Sequence, residues 1–346
     1  SSDVCSSDLQ AVPPDHGTVA AGLSPEEKLT RVEAETKLAR TIYVGDGVND
    51  APALQQADIG IAMGITGTEV AKNNASMILA DDNFATIVKA VEEGRGIYEN
   101  MKAFIRYMIS SNIGEVVSIF LSSVLGLPDG FNSIQLLWVN LVTDGLPAMA
   151  LSFNPPDSDI MIRPPRDQSD GIVDAFMVIR YFSTGVYVGL GTVGIFIYWY
   201  LFYDWAADKH PLITFNQLSN WAECPDWKGF KLRNFDEYRL HQDPCSYFTA
   251  GKARASTLSL SVLVMIEMFN AFNALSENQS ILKTGLFINP ILILAVCSSI
   301  ALHCVILYVP YFNFLFGTAP LSLGVISLLP LGLGTRHPLL FPCDHP

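Results

Sequence analysis

A short run rich in glycine and aspartate, residues 45–52, follows directly on the apolar run 41–44. Its glycines permit a tight turn, and Asp46 and Asp50 offer hard carboxylate oxygens of the kind that bind Mg²⁺ beside a phosphoryl group. Asn49 adds a neutral donor and acceptor between them. In open parallel sheets, ligands gather at the carboxyl ends of strands, which is where this run would lie. The pattern predicts a phosphoryl-handling loop. An ordinary surface turn is the alternative, because turns use the same residue types.

Oxygen-bearing side chains also occur within apolar segments of the second half of the chain. They are Asn112 and Glu115 in one segment, Asn140, Thr143 and Asp144 in the next, and Glu267 in a later one. In helices, spacings of three and four residues bring side chains to one face. A carboxylate at bilayer depth costs several kcal/mol unless it is paired or coordinated, so three of them predict a cation site. Ligands that are all oxygen favour a hard cation such as Ca²⁺. The alternative is hydrogen bonding between helices.

Gly145 and Pro147 follow Asp144 at once. A proline inside a helix removes a backbone hydrogen bond, and a carbonyl freed in this way can join a coordination sphere. We therefore expect an unwound turn after Asp144 that adds backbone oxygens to the cation site.

The composition indicates a chain that lies largely in lipid. Of the 346 residues, 50% are hydrophobic and 16% are charged, against about 25% charged in soluble domains, and the mean hydropathy is +0.31. This apolar content excludes a disordered chain. The formal net charge of −13 argues against a nucleic-acid partner, because an acidic surface repels phosphate backbones.

The elements that must position these residues fall into two regions. Residues 21–92 have short apolar runs, of which 41–44 and 59–62 are predicted to be strands of a parallel sheet. Apolar residues at helical spacing over 83–107 predict a long stalk helix that leads into the membrane. Residues 93–335 are assigned to this stalk and to membrane spans of roughly 20 apolar residues. The predicted spans are 104–125, 134–153, 176–202, 257–275 and 286–309, with a weaker sixth, broken by prolines and glycines, at 312–333.

The other segments connect or flank these regions. Residues 1–20 repeat Ser-Ser-Asp, which is typical of a cloning scar, so an artefactual or disordered start is predicted, and residues 336–346 form a divergent tail. Basic residues flank the first two spans on one side, which the positive-inside rule makes cytosolic. They are Lys102, Arg106, Arg163 and Arg166. The polar loop 203–252 is then predicted to face the lumen.

Cys224 and Cys245 share that polar loop. In an oxidising lumen they can form a disulfide, which would add on the order of 3 kcal/mol by constraining the unfolded chain. Two unpaired thiols are the alternative. No pair among the six cysteines has the C-x-x-C spacing that is typical of zinc or redox sites.

Longer motifs give the chain a family resemblance. Residues 45–52 resemble the hinge motif of the P-type ATPase phosphorylation domain, and residues 57–64 continue it. Further motifs are similar to the sarco/endoplasmic reticulum class of calcium pumps, at 79–84, 92–95, 110–115, 136–147 and 153–157. Residues 255–261 and 307–310 look closest to plant or algal ER-type members. The resemblance covers about residues 31–323, roughly the last third of such a pump.

The resemblance implies a mixed fold, with a partial α/β phosphorylation domain (HAD-like, Rossmannoid) followed by an α-helical transmembrane bundle. It assigns Asp46 and Asp50 to the centre that binds Mg²⁺ and the phosphoryl group, with Asn49 beside them. It also implies ATP as cofactor. The segment 31–33 with Lys37 looks like a family segment whose lysine contacts the phosphoryl group. A pump forms its aspartyl phosphate on Asp-Lys-Thr-Gly-Thr, which this sequence does not contain. Thr66-Gly67-Thr68 lacks that aspartate and is predicted to be a glycine-rich turn.

The resemblance also assigns ion ligands. It implies one calcium site from Asn112, Glu115, Thr143, Asp144 and Glu267, and a contribution of Asn140 and Asp144 to a second. We expect part of an ATP-driven pump that moves Ca²⁺ into the endoplasmic reticulum, with Mn²⁺ as a second candidate ion. We expect this part to be inactive without the missing N-terminal part of the pump. Golgi or endosomal membranes are the alternative location. A short non-catalytic membrane protein that binds calcium, or regulates a pump, is the alternative function.

Overall fold

The structure is a computed structural model of the chain. It describes residues 22–37, 41–157, 159–164, 171, 173, 175–203, 212–226, 245–249, 251–275 and 285–322. The predicted start (1–20), Arg166 and the predicted tail (336–346) lie outside these residues, as do parts of the predicted loop 203–252 and of the sixth span. The chain divides into two compact units, Ser1–Glu93 and Gly94–Pro346.

The first unit is an α/β arrangement. Its elements are α1 (Pro25–Thr36), β1 (Ile42–Gly45), a 3₁₀ turn (Val48–Asp50), α2 (Ala51–Gln56), β2 (Ile59–Met63), α3 (Glu69–Asn74) and β3 (Met77–Leu79). The strands pair in parallel in the order β1-β2-β3, with Ile42 opposite Ile59 and Ile61 opposite Met77. The predicted parallel strands are confirmed, whereas β3 is too short for a sequence period to reveal it.

Helix α1 begins at a capping box. The Ser24 hydroxyl accepts a hydrogen bond from the Glu27 N–H at 3.3 Å, and the Glu27 carboxylate accepts one from the Ser24 N–H at 2.8 Å. Val32 is buried and packs against α2. Because Lys28 lies one turn before Val32, the same face of α1 directs its side chain towards the loop that follows β1.

The second unit is helical. Its elements are α4 (Ala85–Val124, which begins before the unit boundary), α5 (Ser133–Trp138), a π turn (Val139–Thr143), α6 (Gly145–Leu151), α7 (Ala175–Leu201), α8 (Phe215–Ser219), a 3₁₀ turn (Trp221–Asp226), α9 (Ser246–Thr249), α10 (Ala253–Asn273), a 3₁₀ turn (Leu286–Ile288), α11 (Pro290–Tyr308) and α12 (Pro310–Phe316). Within the described part of the chain, five stretches are long and apolar enough to cross a membrane. They are Ala85–Val124, Ser133–Leu151, Met177–Leu201, Ser246–Asn273 and Pro290–Tyr308, and they overlap the five stronger predicted spans.

Helix α10 lies at the centre of this unit, with most of its residues buried. Hydroxyl groups join it to its neighbours: Ser259 donates to the Thr192 carbonyl of α7 at 2.7 Å, and Ser256 donates to the Gly130 carbonyl at 2.6 Å. Small hydroxyl residues let membrane helices approach closely while each polar group keeps a partner. This packing holds Glu267 of α10 inside the bundle.

The predicted sixth span is not a continuous helix within the described residues. Helix α11 ends at Tyr308, before Pro310, and the short α12 ends at Phe316. Gly317 takes a left-handed conformation with φ of 62°, which terminates the helix. Within the described residues, the weak sixth span predicted at 312–333 is therefore helical only as far as Phe316.

The second span changes its helical form just before Asp144. Residues Val139–Thr143 form the π turn, and the Asp144 N–H donates to the Val139 carbonyl at 2.8 Å. The unwound turn that we expected after Asp144 is wrong, because α6 begins at Gly145. Pro147 has no N–H to offer the Thr143 carbonyl, and the Ser299 hydroxyl of α11 donates to that carbonyl instead, at 3.0 Å.

Gly60 of β2 lies directly against the backbone of α2, so a substitution there tests the packing of α2 on the sheet. A Cβ atom at Gly60 would lie 2.1 Å from the Leu54 carbonyl oxygen. We expect Gly60→Ala to lower the unfolding free energy of the first unit by about 1–3 kcal/mol, because a backbone atom cannot move aside cheaply. Hydrogen exchange of residues 41–63 in the purified chain measures the effect.

Gly94→Ala is the matched control for Gly60→Ala. A Cβ atom there meets nothing within 4 Å, and alanine favours the surrounding helix α4. Unchanged or slightly slower exchange is expected in this variant. Wild-type exchange in the Gly60→Ala chain would contradict the packing.

Candidate functional site

The loop after β1 turns Asp50 inward and leaves Asp46 outside. Asp50 is 6% exposed, and its Oδ1 accepts hydrogen bonds from Lys28 Nζ and from the Tyr43 hydroxyl, each at 2.9 Å. Its Oδ2 accepts the Gly47 N–H at 3.1 Å. Burial alone would raise the pKa of the Asp50 carboxyl, but these donors stabilise its charged form and hold the pKa below its usual value. Asp50 is therefore a fixed anion at neutral pH.

Asp46 and Asn49 are both exposed at the carboxyl end of β1. The carbonyl of Asp46 accepts hydrogen bonds from the Thr68 N–H at 2.8 Å and from the Thr68 hydroxyl at 3.2 Å, so its backbone is held while its carboxylate stays accessible. Mg²⁺ keeps several waters and needs only one or two protein carboxylates beside a phosphate. The exposed carboxylate of Asp46 and the side-chain oxygen of Asn49 fit that chemistry, whereas both oxygens of Asp50 already accept hydrogen bonds.

Lys28, not Lys37, is the lysine at this loop. Lys37 is exposed at the carboxyl end of α1, and nine residues separate it from Lys28. At 3.6 residues per turn, nine residues place two side chains on opposite sides of a helix. The structure therefore places Lys28, and not Lys37, beside Asp50, and a phosphoryl contact of Lys37 stays a prediction. The sequence does contain a signal for Lys28. The apolar Val32 follows it by one helical turn, and the structure buries Val32 on the inward face of α1.

In the second unit, Glu115 of α4, Asp144 and Glu267 of α10 are all buried, with exposures of 6%, 0% and 0%. The Glu267 carboxylate lies close enough to those of Asp144 and Glu115 for their negative charges to repel one another. None of the three forms an ion pair with any residue that the structure describes. Among the residues that the structure describes, the bundle therefore encloses three acidic groups with no ion-pair partner.

Several oxygens of this cluster have a hydrogen-bond donor. Asp144 accepts from the Tyr107 hydroxyl at 3.2 Å and from the Ser111 hydroxyl. The Asn140 amide donates to Glu115 Oε2 at 2.7 Å. Tyr107, Ser111 and Glu115 repeat at intervals of four along α4 and so share one stripe of the helix. We predicted none of these hydroxyl contacts, although that spacing could have revealed them.

Other oxygens of the cluster have no hydrogen bond of normal length and angle. Within the described residues, they are Glu115 Oε1, Thr143 Oγ1 and both carboxylate oxygens of Glu267, although the side chains of Ser111 and Asn270 lie close to the Glu267 carboxylate. A buried oxygen without a donor costs free energy comparable to a lost hydrogen bond, and more if it is charged. Four such oxygens, all of the hard type, offer binding positions for a cation.

The acidic groups alone do not complete a metal site. Among the described residues, no three His, Cys, Asp or Glu side chains are grouped so that they could hold a metal ion. Calcium takes six to eight oxygens, including amide, hydroxyl and backbone oxygens. Two neutral side chains could add oxygens to the acidic groups. Thr143 is buried next to Asp144 in the chain, and Asn140 is hydrogen-bonded to Glu115.

Asn112 is not brought into the cluster. Its side chain is exposed, and its amide donates to the Met108 carbonyl one turn back at 2.7 Å. A spacing of three residues leaves two side chains about 60° apart around a helix, which is enough to separate Asn112 from the buried Glu115. In this structure Asn112 therefore lies outside the cluster, and its role as an ion ligand stays a prediction.

Cys224 and Cys245 both pack against the main apolar core of the second unit, Cys224 fully buried and Cys245 partly so. Cys224 is a thiol in the structure, so the predicted bridge between these two residues is not formed there. Most of the loop between them lies outside the described part of the chain.

Comparisons with known proteins match both units. A family described as cation transporting ATPase, C-terminus, matches residues 128–335, and the haloacid dehalogenase-like hydrolases match residues 29–91. The chain is 58% identical over 289 residues to calcium-transporting ATPase 4, endoplasmic reticulum-type, of Arabidopsis thaliana, which covers 81% of this chain and 27% of that protein. It is 56% identical over 299 residues to a calcium-transporting ATPase of Plasmodium falciparum, covering 86% of this chain and 24% of that protein. The chain thus spans about a quarter of the length of these relatives.

The Lys28–Asp50 contact predicts the effect of removing each lysine. Lys28→Met should raise the pKa of the Asp50 carboxyl, because a charged donor to Oδ1 is lost. A carboxyl with a lowered pKa stabilises the fold above its unfolded pKa and loses that contribution as the pH falls through its folded value. The variant should therefore lose this contribution at a higher pH than the wild type. Carboxyl ¹³C NMR of the aspartate-labelled chain, with the signal assigned through Asp50→Asn, measures it.

Lys37→Met is the control for that titration and should leave the Asp50 signal unchanged. A larger pKa change in Lys37→Met than in Lys28→Met would contradict the assignment of Lys28 to this loop.

Proposed function

The chain belongs to the cation-transporting P-type ATPases, and from this premise we propose that it supplies the calcium-binding membrane unit and part of the phosphoryl-handling unit of a calcium pump. The names of its relatives support the endoplasmic reticulum membrane as its location. The pump would use ATP to move Ca²⁺ from the cytosol into the lumen.

One observation carries the ion-binding half of this proposal. Within the described residues, oxygens of Glu115, Thr143 and Glu267 lack a hydrogen bond of normal geometry, and Asp144 is buried in the same cluster. In a lipid environment, acidic groups of this kind are maintained by function rather than by stability. A divalent cation would neutralise the cluster and fill the open oxygen positions at once. The all-oxygen ligands suit Ca²⁺, and they suit Mn²⁺ as a second transported ion.

The phosphoryl half of the proposal assigns roles to the loop after β1. Asp46 and Asn49 would hold Mg²⁺, which when bound neutralises charge on the transferring phosphoryl group. The Lys28 ammonium, already held by Asp50 at 2.9 Å, would contribute a fixed positive charge beside that group. Asp50 would act as the anchor of Lys28 and of the Gly47 N–H. The acceptor aspartate of the phosphoryl group would come from another part of the pump, and the chain alone would not hydrolyse ATP.

A second candidate function is a non-catalytic membrane protein that binds calcium or regulates a pump. The same oxygen cluster supports it, because binding needs no phosphoryl chemistry. The two functions differ in the first unit, where only the pump requires Mg²⁺ at Asp46. A purified chain that binds Ca²⁺ but shows no Mg²⁺ effect at residues 45–50 would favour this second candidate.

Calcium binding to the purified chain tests the ion site. Asp144→Asn and Glu267→Gln should each weaken equilibrium ⁴⁵Ca²⁺ binding by about tenfold or more, equal to about 1.4 kcal/mol, because each removes a ligand charge from the cluster. Asn140→Ala should weaken binding less, since it removes a neutral ligand. Measurements in detergent with Mg²⁺ present exclude weak competing sites.

Two variants serve as controls for calcium binding. Asp129→Asn alters an exposed carboxylate in the α4–α5 loop and should leave the affinity unchanged. Asn112→Ala should change it by less than about twofold, because the side chain lies outside the cluster. Wild-type affinity in both Asp144→Asn and Glu267→Gln would refute the site.

A further inference from the structure

The loop 64–68 between β2 and α3 is held at both of its ends, although it contains none of the residues assigned to a functional site so far. It includes Thr66-Gly67-Thr68, which the sequence predicts to be a simple turn. Its start is fixed by the carboxylate of Asp82, and its end is fixed to the backbone of Asp46.

Asp82 accepts four hydrogen bonds from the first half of this loop. Its Oδ1 accepts the N–H groups of Gly64 at 2.6 Å and Ile65 at 2.9 Å. Its Oδ2 accepts the N–H and the hydroxyl of Thr66, both at 2.8 Å. Hydrogen bonds to an ionised carboxylate are about twice as strong as neutral ones, so this is the firmest polar anchor of the loop.

The backbone of Asp82 is itself unusual. Its φ is 49°, and it is the only non-glycine residue with positive φ among those the structure describes. A left-handed conformation is unfavourable for a residue with a side chain, although aspartate and asparagine tolerate it best. Such conformations persist where the surrounding contacts require them, and they cluster at functional positions.

The far end of the loop reaches Asp46. Thr68 donates both its N–H and its hydroxyl to the Asp46 carbonyl, at 2.8 Å and 3.2 Å. The same hydroxyl accepts the Ala71 N–H and thereby caps α3. A continuous set of contacts therefore leads from the Asp82 carboxylate through residues 64–68 to the backbone that carries the Asp46 side chain.

We propose that Asp82 is a positioning residue, which fixes the Asp46 carboxylate for Mg²⁺ by clamping the loop 64–68. This inference rests on the proposed function, in which Asp46 binds Mg²⁺ beside a phosphoryl group. Asp82 does not touch the ion. It limits the positions that the Asp46 backbone can take, so that the ligand is already oriented when Mg²⁺ arrives.

The clamp is present throughout the physiological pH range. Hydrogen bonds from the backbone N–H of Ile65, and from Thr66 and Gly64, stabilise the ionised carboxylate and lower the pKa of Asp82 to about 2. Asp82 therefore remains an acceptor wherever the protein is folded, and its role is structural support of the site rather than a pH switch.

Hydrogen exchange of the full chain in detergent, with EGTA to remove Ca²⁺ and increasing Mg²⁺, tests the inference. Asp82→Asn keeps a residue that tolerates positive φ but removes the charge and one carboxylate oxygen. We expect about tenfold faster exchange at residues 64–68 in this variant. We also expect a several-fold higher Mg²⁺ concentration for half-maximal protection of residues 45–50.

Asp81→Asn is the matched control. Its carboxylate accepts from the Asn83 N–H and the Thr86 hydroxyl and makes no contact with the loop 64–68, so the Mg²⁺ response should stay within twofold of wild type. Thr66→Val, which removes a single hydroxyl bond to Asp82, is the mild variant in case Asp82→Asn unfolds the first unit. It should shift the Mg²⁺ response in the same direction by a smaller factor.

The outcomes separate this inference from the proposed function. Wild-type protection by Mg²⁺, with an unchanged half-maximal concentration in Asp82→Asn and in Thr66→Val, would overturn the role of Asp82 and leave the proposed function intact. Absence of any Mg²⁺ protection at residues 45–50 in the wild type would overturn both.

Discussion

The burial of uncompensated negative charge is the constraint on which the membrane unit depends. Glu115, Asp144 and Glu267 lie inside a bundle with no described cation beside them, and among the described residues neither oxygen of Glu267 has a hydrogen bond of normal geometry. A sequence selected for stability alone would place apolar residues at such positions. The hydroxyl contacts to Asp144, the π turn before it and the dense packing of α10 all hold these acidic groups inside the bundle. Under the proposed function, a bound cation would supply the missing positive charge.

In the first unit, one carboxylate is held firmly and another stays accessible. Asp50 and Asp46 are four residues apart, yet the 3₁₀ turn between β1 and α2 buries the first and exposes the second. The buried one is stabilised by Lys28, and the exposed one has its backbone held by Thr68. Support for the accessible ligand thus comes from neighbouring elements, since its own side chain must remain available for binding.

The sequence predicts those features that depend on residue type, and it misses those that depend on rotation about a helix. Apolar runs predicted the parallel strands and the five spans, and rare buried charges predicted the acidic cluster. Lys37 and Asn112 were assigned by linear resemblance and spacing, but helical phase puts Lys28 at Asp50 and leaves Asn112 on the surface. The contacts of Ser111 and Asp82 were not predicted from the sequence, because serine and aspartate are common in packing contacts and turns. Only three-dimensional contacts distinguish their roles.

The central claim is that a calcium ion is bound by the open oxygens of the acidic cluster. Anomalous scattering from crystals of the full chain grown with Ca²⁺ tests it most directly, because it locates the ion without reference to any variant. The account predicts a calcium peak at about 2.3–2.6 Å from oxygens of Glu267 and Asp144. Calcium found only elsewhere, with the Glu267 carboxylate occupied by hydrogen bonds from the protein, would contradict it.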